Sequence, residues 1–443
     1  MNQIIFNLSL LLLVYFLIRA VSSPIHLVFI LGITGSNFFG SASTFQTSFL
    51  PGFTLNGSDI INIIIILTVI AKLNALKRCS YNKYFIIIIT TFLFVTIFRA
   101  IVFHSDFILA DFKNYIRYLA PLSYPYFFYL YLKKENYSSF LLSLKLLALL
   151  SIVVFFLQYT NLYFPITELS PSGSPEIYKI ETLDINRFNI LGGAFLLICS
   201  SLFIFEYLTR RDKTSLIEAV FVIIIFFLST YRTSFIIVFL SVLFTVLFYE
   251  RIRKKVFLLV LAFILVFFII QALLPQYSFE DYWLRIQSAY TELKYSQGTA
   301  LVRVVKTAKI WNSLNSNMGI LFFGSYFTSQ GREIFDYIAL DLGIIATIAL
   351  YGILFTTSIF WTIFKIFIKK YETNYSFVLR AYILASAPAL IFNFELFYYF
   401  SNNILLLYGI VLAFNLNQIE EKQKQISHLN KNSSVVKNVL PSN

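Results

Sequence analysis

The chain has 443 residues, of which 58% are hydrophobic, 19% are aromatic and only 13% are charged. Soluble domains carry charged side chains at about a quarter of their positions, so this composition excludes an ordinary soluble protein. The net charge of +13 does not indicate nucleic-acid binding, since an excess of Lys and Arg on cytoplasmic loops is typical of membrane proteins. Two distant cysteines and three scattered histidines predict neither a disulfide nor a metal site.

Apolar stretches of the length that spans a bilayer recur along most of the chain. The first two, 4–18 and 26–39, leave open whether they form two spans or one span and a re-entrant piece. The later predicted spans are 58–71, 84–103, 115–132, 138–158, 188–207, 215–230, 233–249, 256–274, 337–361, 377–392 and 398–415. Because helices satisfy their own backbone groups in lipid, we predict an all-α, polytopic transmembrane helical bundle of about 12 spans, or 13.

Lys and Arg cluster on every second predicted loop, which sets the orientation by the positive-inside rule. The basic clusters are Lys72–Lys77–Arg78–Lys83, Lys133–Lys134, Arg210–Arg211–Lys213, Arg251–Arg253–Lys254–Lys255 and Lys365–Lys369–Lys370. These loops and the polar tail 418–443 are predicted to be cytoplasmic. The first part of the transmembrane bundle is then 1–274, which includes an outer loop at 159–187. A large extracytoplasmic loop, 275–336, follows, and 337–417 form the last part of the bundle.

The large loop, 275–336, has helical patterning, so we expect function rather than disorder from its length. Apolar residues at helical spacing predict one amphipathic helix over 279–293 and a second from about Thr299 to Leu314, where Trp311 shares a face with Val305. Such helices lie in the membrane interface, with aromatic residues buried and cations near head groups. We expect the loop to roof a membrane-facing active site.

Four arginines are predicted at the outer side: Arg187, Arg232, Arg303 and Arg332. Arginine matches phosphate oxygens bidentately, so these side chains are candidates for binding the diphosphate of a lipid-linked substrate. The alternative is that each one anchors to lipid head groups by snorkelling.

Two acids, Asp336 and Asp341, lie near the outer boundary of the span that follows the loop. Either could take a proton from a sugar hydroxyl as a general base, with Arg232 and Arg303 assisting catalysis. The alternative is a helix cap or a first-turn charge facing the helix dipole. The chain has no phosphate-binding Walker loop and no Asp-x-Asp on an outer loop, so we expect no nucleotide, metal or other cofactor.

Three short motifs resemble the bacterial O-antigen polymerase (Wzy) and O-antigen ligase superfamily of polytopic membrane glycosyltransferases. They are NRFNILGGAFLL at 186–197, LSTYRTSFIIVFL at 228–240, and the loop end from RVVKTAKIWNSL at 303 to the span at 332–355. Gly324 and Gly343 hold two of the family's glycine positions there, whereas Ser325, Tyr326 and Ala346 depart from its pattern.

The resemblance implies a metal-independent enzyme of the bacterial inner membrane. Its substrates would be undecaprenyl-diphosphate-linked oligosaccharides, which it would join at the outer face of the membrane while the four arginines hold the diphosphate. It further implies contact with the lipid bilayer and with a protein that regulates chain length, and no nucleic-acid partner.

Three alternatives stay open. The first is an O-antigen ligase, which transfers the glycan to lipid A core. The ligases of this superfamily carry a histidine near the start of the span that follows the large loop. In this chain Arg332 stands about there, which favours a polymerase over a ligase. A flippase for the same substrates is typically built of even hairpins with charges inside the bundle, unlike the large outer loop expected here. A receptor or structural membrane protein is the third alternative.

Overall fold

A computed structural model describes a large part of the chain at the level of helices, strands and side chains. The described residues are 15, 47–50, 53–55, 57–76, 82–103, 109–160, 178–180, 185–187, 193–229, 232–249, 298–324, 343–371, 373–392, 404–416, 418–419 and 422. The predicted segments 4–18 (Tyr15 apart), 26–39, 256–274 and 279–293, and most of the tail 418–443, lie outside them.

Helices make up nearly all of the ordered structure in the described ranges, which confirms the predicted helical class. They are α1 (Gly57–Ala71), α2 (Asn82–Phe103), α3 (Leu109–Tyr131), α4 (Tyr137–Tyr159), α5 (Gly193–Arg210), α6 (Lys213–Leu228), α7 (Arg232–Phe248), α8 (Gly298–Ser316), α9 (Met318–Phe323), α10 (Gly343–Ile368), α11 (Tyr375–Phe392) and α12 (Ile404–Leu416). Most of these bounds lie within a few residues of a predicted span, and α8 matches the predicted second amphipathic helix.

Two short antiparallel hairpins, which the apolar periodicity does not predict, add to the helices. The first pairs β1 (Thr47–Leu50) with β2 (Phe53–Leu55) just before α1, with an irregular register near its turn. The second pairs β3 (Tyr178–Ile180) with β4 (Ile185–Arg187) just before α5, within the predicted outer loop 159–187.

Helix α2 illustrates how these helices pack. Ile88, Phe92 and Val95 recur at helical spacing and are buried against neighbouring helices, whereas Leu93 and Ile97 on the opposite side are exposed although they are equally apolar. A helix that is apolar all round belongs in a protein core or in a membrane. An exposed apolar face on a long helix is therefore the pattern expected of a helix with lipid on one side.

Contacts between helix ends show that the basic loops in the described part of the chain share one end of the bundle. The Lys72 ammonium lies 4.9 Å from the ring centroid of Tyr131, at the end of α3. A short turn leads from there to Tyr137, whose ring lies 4.7 Å from the Arg210 guanidinium carbon and 5.9 Å from the ring of Tyr375. We call this the basic end and the opposite one the far end.

Helices α5 and α7 run parallel and in register. The Ser201 hydroxyl donates to the Ser241 hydroxyl over 2.7 Å, and the rings of Phe205 and Tyr249 lie 6.1 Å apart nearer the basic end. Because Ser201 and Ser241 are almost equally far from the starts of their helices, the N-termini of α5 and α7 lie level at the far end.

Two helices in the described ranges, Tyr137–Leu157 and Thr347–Ile368, are long and apolar enough to cross a membrane. By length and composition they weakly indicate that the protein associates with a membrane.

Candidate functional site

The end of the predicted large loop meets the bundle at a backbone crossing between α9 and α10. Gly324 ends α9 with φ +71°, and Gly352 interrupts α10 with φ +80° and ψ 158°. A Cβ built on Gly324 would lie 2.3 Å from the Leu350 carbonyl oxygen, and one on Gly352 would lie 2.2 Å from the Phe322 carbonyl oxygen. Only glycine fits either position, because no side chain fits the space and L-residues rarely adopt this backbone conformation.

Arg99 ties this crossing to α2. Its side chain is only 3% exposed. Its Nε donates to the Phe323 carbonyl oxygen over 2.7 Å, and its Nη2 donates to the same oxygen. The last carbonyls of a helix have no partner within the helix. Arg99 therefore supplies donors to the C-terminus of α9 where it lies against apolar side chains.

Aromatic rings surround the Arg99 contact. The rings of Phe98 and Phe323 stack with centroids 5.3 Å apart and planes inclined by 13°, and Phe94 lies 6.3 Å from Phe323. Deeper in the bundle, Phe92 of α2 meets Phe355 of α10 at 5.3 Å. The end of the loop is thus wedged against two helices by ring packing, a charge-assisted hydrogen bond and the glycine crossing.

The crossing lies below the far end of the bundle, where Arg99 is buried and Phe98 and Phe322 are partly exposed. Gly352 follows Gly343, the first residue of α10, by nine residues, which is about 13 Å along a helix. Phe94 and Phe98 of α2 lie about 13 Å and about 8 Å from Phe103, where that helix ends. A loop segment that enters this deeply must satisfy its backbone groups within the protein, and Arg99 does so for Phe323.

A second polar cluster lies at the basic end, around the fully buried carboxylate of Glu206. The hydroxyls of Tyr137 and Tyr375 both donate to its Oε1, the latter over 2.8 Å, and the Arg210 Nε lies 3.2 Å from its Oε2. The cluster joins α4, α5 and α11. Its described contacts fit a structural clamp between helices, because the carboxylate already holds three partners.

A third polar group is buried toward the N-terminus of α1. Asp59 is inaccessible to solvent, and one turn along the helix the Asn62 side-chain oxygen accepts a hydrogen bond of 3.0 Å from the Tyr124 hydroxyl of α3. A buried acid in an apolar helix is costly and commonly functional.

The six predicted site residues are described only in part. Arg187 is the last residue of β4 and pairs with Tyr178, Arg232 is the first residue of α7, and Arg303 lies in α8. Their side chains, and all of Arg332, Asp336 and Asp341, lie outside the described part of the structure. Whether the six meet around one substrate stays a prediction.

Arg99, Glu206 and Asp59 were not predicted from the sequence, although each one is a charged residue within or at the edge of a predicted span. That placement is the signal that could have identified them. Within the described ranges, His, Cys, Asp and Glu residues form no group of three that could bind a metal ion. Cys199 is buried and is a free thiol.

No known protein-family model matches the chain, and no curated protein matches it significantly.

Proposed function

We propose that this chain is a polytopic membrane glycosyltransferase, with about 12 spans and the loop 275–336 on the extracytoplasmic side. In this proposal it is a polysaccharide polymerase of the bacterial inner membrane that joins undecaprenyl-diphosphate-linked repeat units. The single observation that carries the proposal is the deep seat of the loop end at Arg99, Phe323 and Gly352. It fits a loop that belongs to a membrane-level site rather than to a separate soluble domain.

The register of α5 and α7 supports the expectation that Arg187 and Arg232 lie at the same end of the bundle. Arg232 begins α7, and Arg187 shortly precedes α5. The bond between Ser201 and Ser241 sets those two helix starts level at the far end, which is also the end that receives α9. The cations of the basic end lie on the opposite side, as the positive-inside rule requires of the cytoplasmic side.

The proposed reaction transfers the growing glycan from its carrier to a fresh unit. A hydroxyl at the non-reducing end of that unit attacks the anomeric carbon of the growing chain. The bond between that carbon and the diphosphate oxygen breaks, and its electron pair leaves with undecaprenyl diphosphate. The hydroxyl proton passes to Asp336 or Asp341, while Arg187, Arg232, Arg303 and Arg332 stabilise the charge that develops on the leaving group.

One observation favours a second candidate, a transporter for the same lipid-linked substrate. Asp59, Arg99 and Glu206 are buried within helices of the bundle. Ionisable residues inside a membrane bundle commonly line the pathway of a substrate or proton. The contacts of Arg99 with the Phe323 carbonyl and of Glu206 with two tyrosines give these two residues structural roles, which weakens the case for transport.

The test compares Arg232→Ala and Arg303→Ala with Lys213→Ala, which removes an exposed cation at the basic end. Polysaccharide from cells that rely on each variant is separated by length on a gel, with protein levels checked by immunoblot. We expect the two arginine variants to lose about 10²- to 10³-fold in polymer, as when one transition-state donor is removed, and Lys213→Ala to keep the full ladder.

The products also separate the candidate functions. Loss of a polymerase leaves a single repeat unit attached to its acceptor, and loss of a ligase leaves nothing attached. In proteoliposomes supplied with a lipid-linked unit, a transporter moves the unit across the membrane without lengthening it. An unchanged long-chain ladder in both arginine variants would refute the assignment of the arginines.

A further inference from the structure

Helices α8 and α9 carry exposed apolar side chains that the described part of the protein leaves uncovered. Trp311 is 55% exposed and Met318 is 64% exposed, and Phe322 is exposed as well. We call these three residues the apolar stripe. The opposite side of the same helices is buried through Ile310, Leu314 and Ile320.

The stripe continues an exposed apolar surface of α2. Phe323 stacks on Phe98 of α2, which is itself partly exposed, and Ile97 and Ile101 extend that exposed surface toward the far end. Phe322 lies next to Phe323 and is exposed on the same segment. Because α2 presents an apolar face of the kind that lipid covers, the same medium is expected to cover the stripe.

The charge of this segment selects the kind of lipid. Between Gly298 and Gly324 the sequence holds Arg303, Lys306 and Lys309 and no acidic residue. A segment with cations beside a Trp-containing apolar face binds at the boundary between head groups and acyl chains, with a preference for anionic lipids.

We propose that α8 and α9 form a membrane-embedded wedge, with the apolar stripe in the acyl region and Lys306 and Lys309 against the phosphates of anionic phospholipids. Arg99 and the glycine crossing fix the buried side of the wedge to the bundle. The proposal rests on the placement of the chain in a membrane, but it does not depend on the glycosyl-transfer reaction.

The test uses the full-length protein with Trp311 as its only tryptophan, made by Trp283→Phe and Trp361→Phe. The protein is reconstituted into vesicles of phosphatidylcholine with phosphatidylglycerol, one of which is brominated in its acyl chains. We expect brominated lipid to quench Trp311 strongly and aqueous iodide to quench it weakly. Quenching by iodide and not by lipid would overturn the wedge, as would protection from both quenchers, which would indicate that a protein surface covers the stripe.

The head-group preference is tested by brominating either lipid at equal mole fraction. A lysine near an anionic surface contributes about 1 kcal/mol, or about a fivefold preference. Brominated phosphatidylglycerol should therefore quench Trp311 more than brominated phosphatidylcholine does, and Lys306→Gln with Lys309→Gln should remove the difference. A preference that survives both substitutions would overturn the assignment of these lysines.

A matched variant keeps Trp361 instead, through Trp283→Phe and Trp311→Phe. Trp361 is 49% exposed on α10, within one of the helices long enough to span a membrane. If lipid does not quench Trp361, the membrane placement fails and the proposed function fails with it. If lipid quenches Trp361 but not Trp311, only the wedge fails. Should the Trp311 variant not fold, a label on Met318→Cys in a Cys79→Ser background reports on the same surface.

Discussion

The glycine crossing predicts a large and non-additive loss of stability when either glycine becomes alanine. In Gly324→Ala and Gly352→Ala the new Cβ meets backbone atoms of the other segment at 2.3 Å and 2.2 Å. These atoms cannot rotate away as the end of a side chain can, so α9 must separate from α10. Each alanine also has to adopt a positive φ with extended ψ, a conformation nearly restricted to glycine.

The two costs set the magnitude. Backbone strain of this kind costs about 1–3 kcal/mol, and overpacking costs about 1–3 kcal/mol, so each variant should lose about 2–6 kcal/mol. Total stabilities are about 5–15 kcal/mol, so the loss is large. A third glycine, Gly409, provides the comparison, since its added Cβ would meet the Phe128 ring at 2.8 Å but no positive φ is involved. Gly409→Ala should therefore lose only the overpacking part.

The assay is thermal unfolding of the detergent-solubilised protein, followed both by a global probe and by Trp311 emission. Once one alanine has separated α9 from α10, the second meets little resistance, so the double variant should lose clearly less than the sum of the single losses. Additive losses, or an unchanged Tm in either single variant, would refute the reasoning that the two glycines make one contact.

Three further predictions concern the polar contacts. Arg99→Met should lose about 1.5–3 kcal/mol, the usual contribution of a hydrogen bond to a charged group, whereas Arg99→Lys should lose less because it keeps a donor for Phe323; Tm and Trp311 emission report the difference. Glu206→Ala should lose about 1–3 kcal/mol because it leaves two tyrosine hydroxyls without their acceptor, and Glu206→Gln should lose clearly less. Equal losses in the Tm would contradict the role of the hydrogen bonds. The hydrogen bond of 2.6 Å from Lys145 is the main cause that lowers the pKa of Asp212 well below its ordinary value. The pair therefore stabilises the fold above about pH 4, and it does so less as the pH falls toward the lowered pKa. A double-mutant cycle of the two residues should give a coupling of about 0.5–1 kcal/mol at neutral pH, and the same cycle in acid should give none.

The helices could be predicted from sequence because the signal is dense and local. Runs such as the one that forms α2 are apolar at nearly every position, and polar or charged residues mark their ends. The two hairpins could not be predicted in the same way. β1, β2, β3 and β4 are three or four residues long, and their alternation is too short to stand out from an irregular loop.

The candidate site was less accessible to prediction because its parts are remote in sequence. Arg99 and Phe323 are 224 residues apart, and no local pattern relates a charged residue in one span to a carbonyl at the end of a distant short helix. Gly324 could be singled out as part of a motif, but its partner Gly352 could not, since a glycine in a helix has no local signal for what crosses it. The spacing predicted α8 itself, and Val305 and Trp311, which it assigned to the apolar face, are both exposed.

The contacts at the two ends of the bundle lead to different expectations for motion. At the basic end, Glu206 links three helices through partners that bury its carboxylate completely, so separating them exposes several polar groups without acceptors. At the far end, the short α9 is seated by Arg99 and by two glycines without side chains to interlock, while α8 packs through Ile310 and Leu314. Displacing α9 alone breaks the charge-assisted hydrogen bonds of Arg99 and a small area of ring packing. Segments that open and close are drawn from the less stable parts of a protein, so we expect movement that admits a lipid-linked substrate to occur around α9 rather than at the basic end.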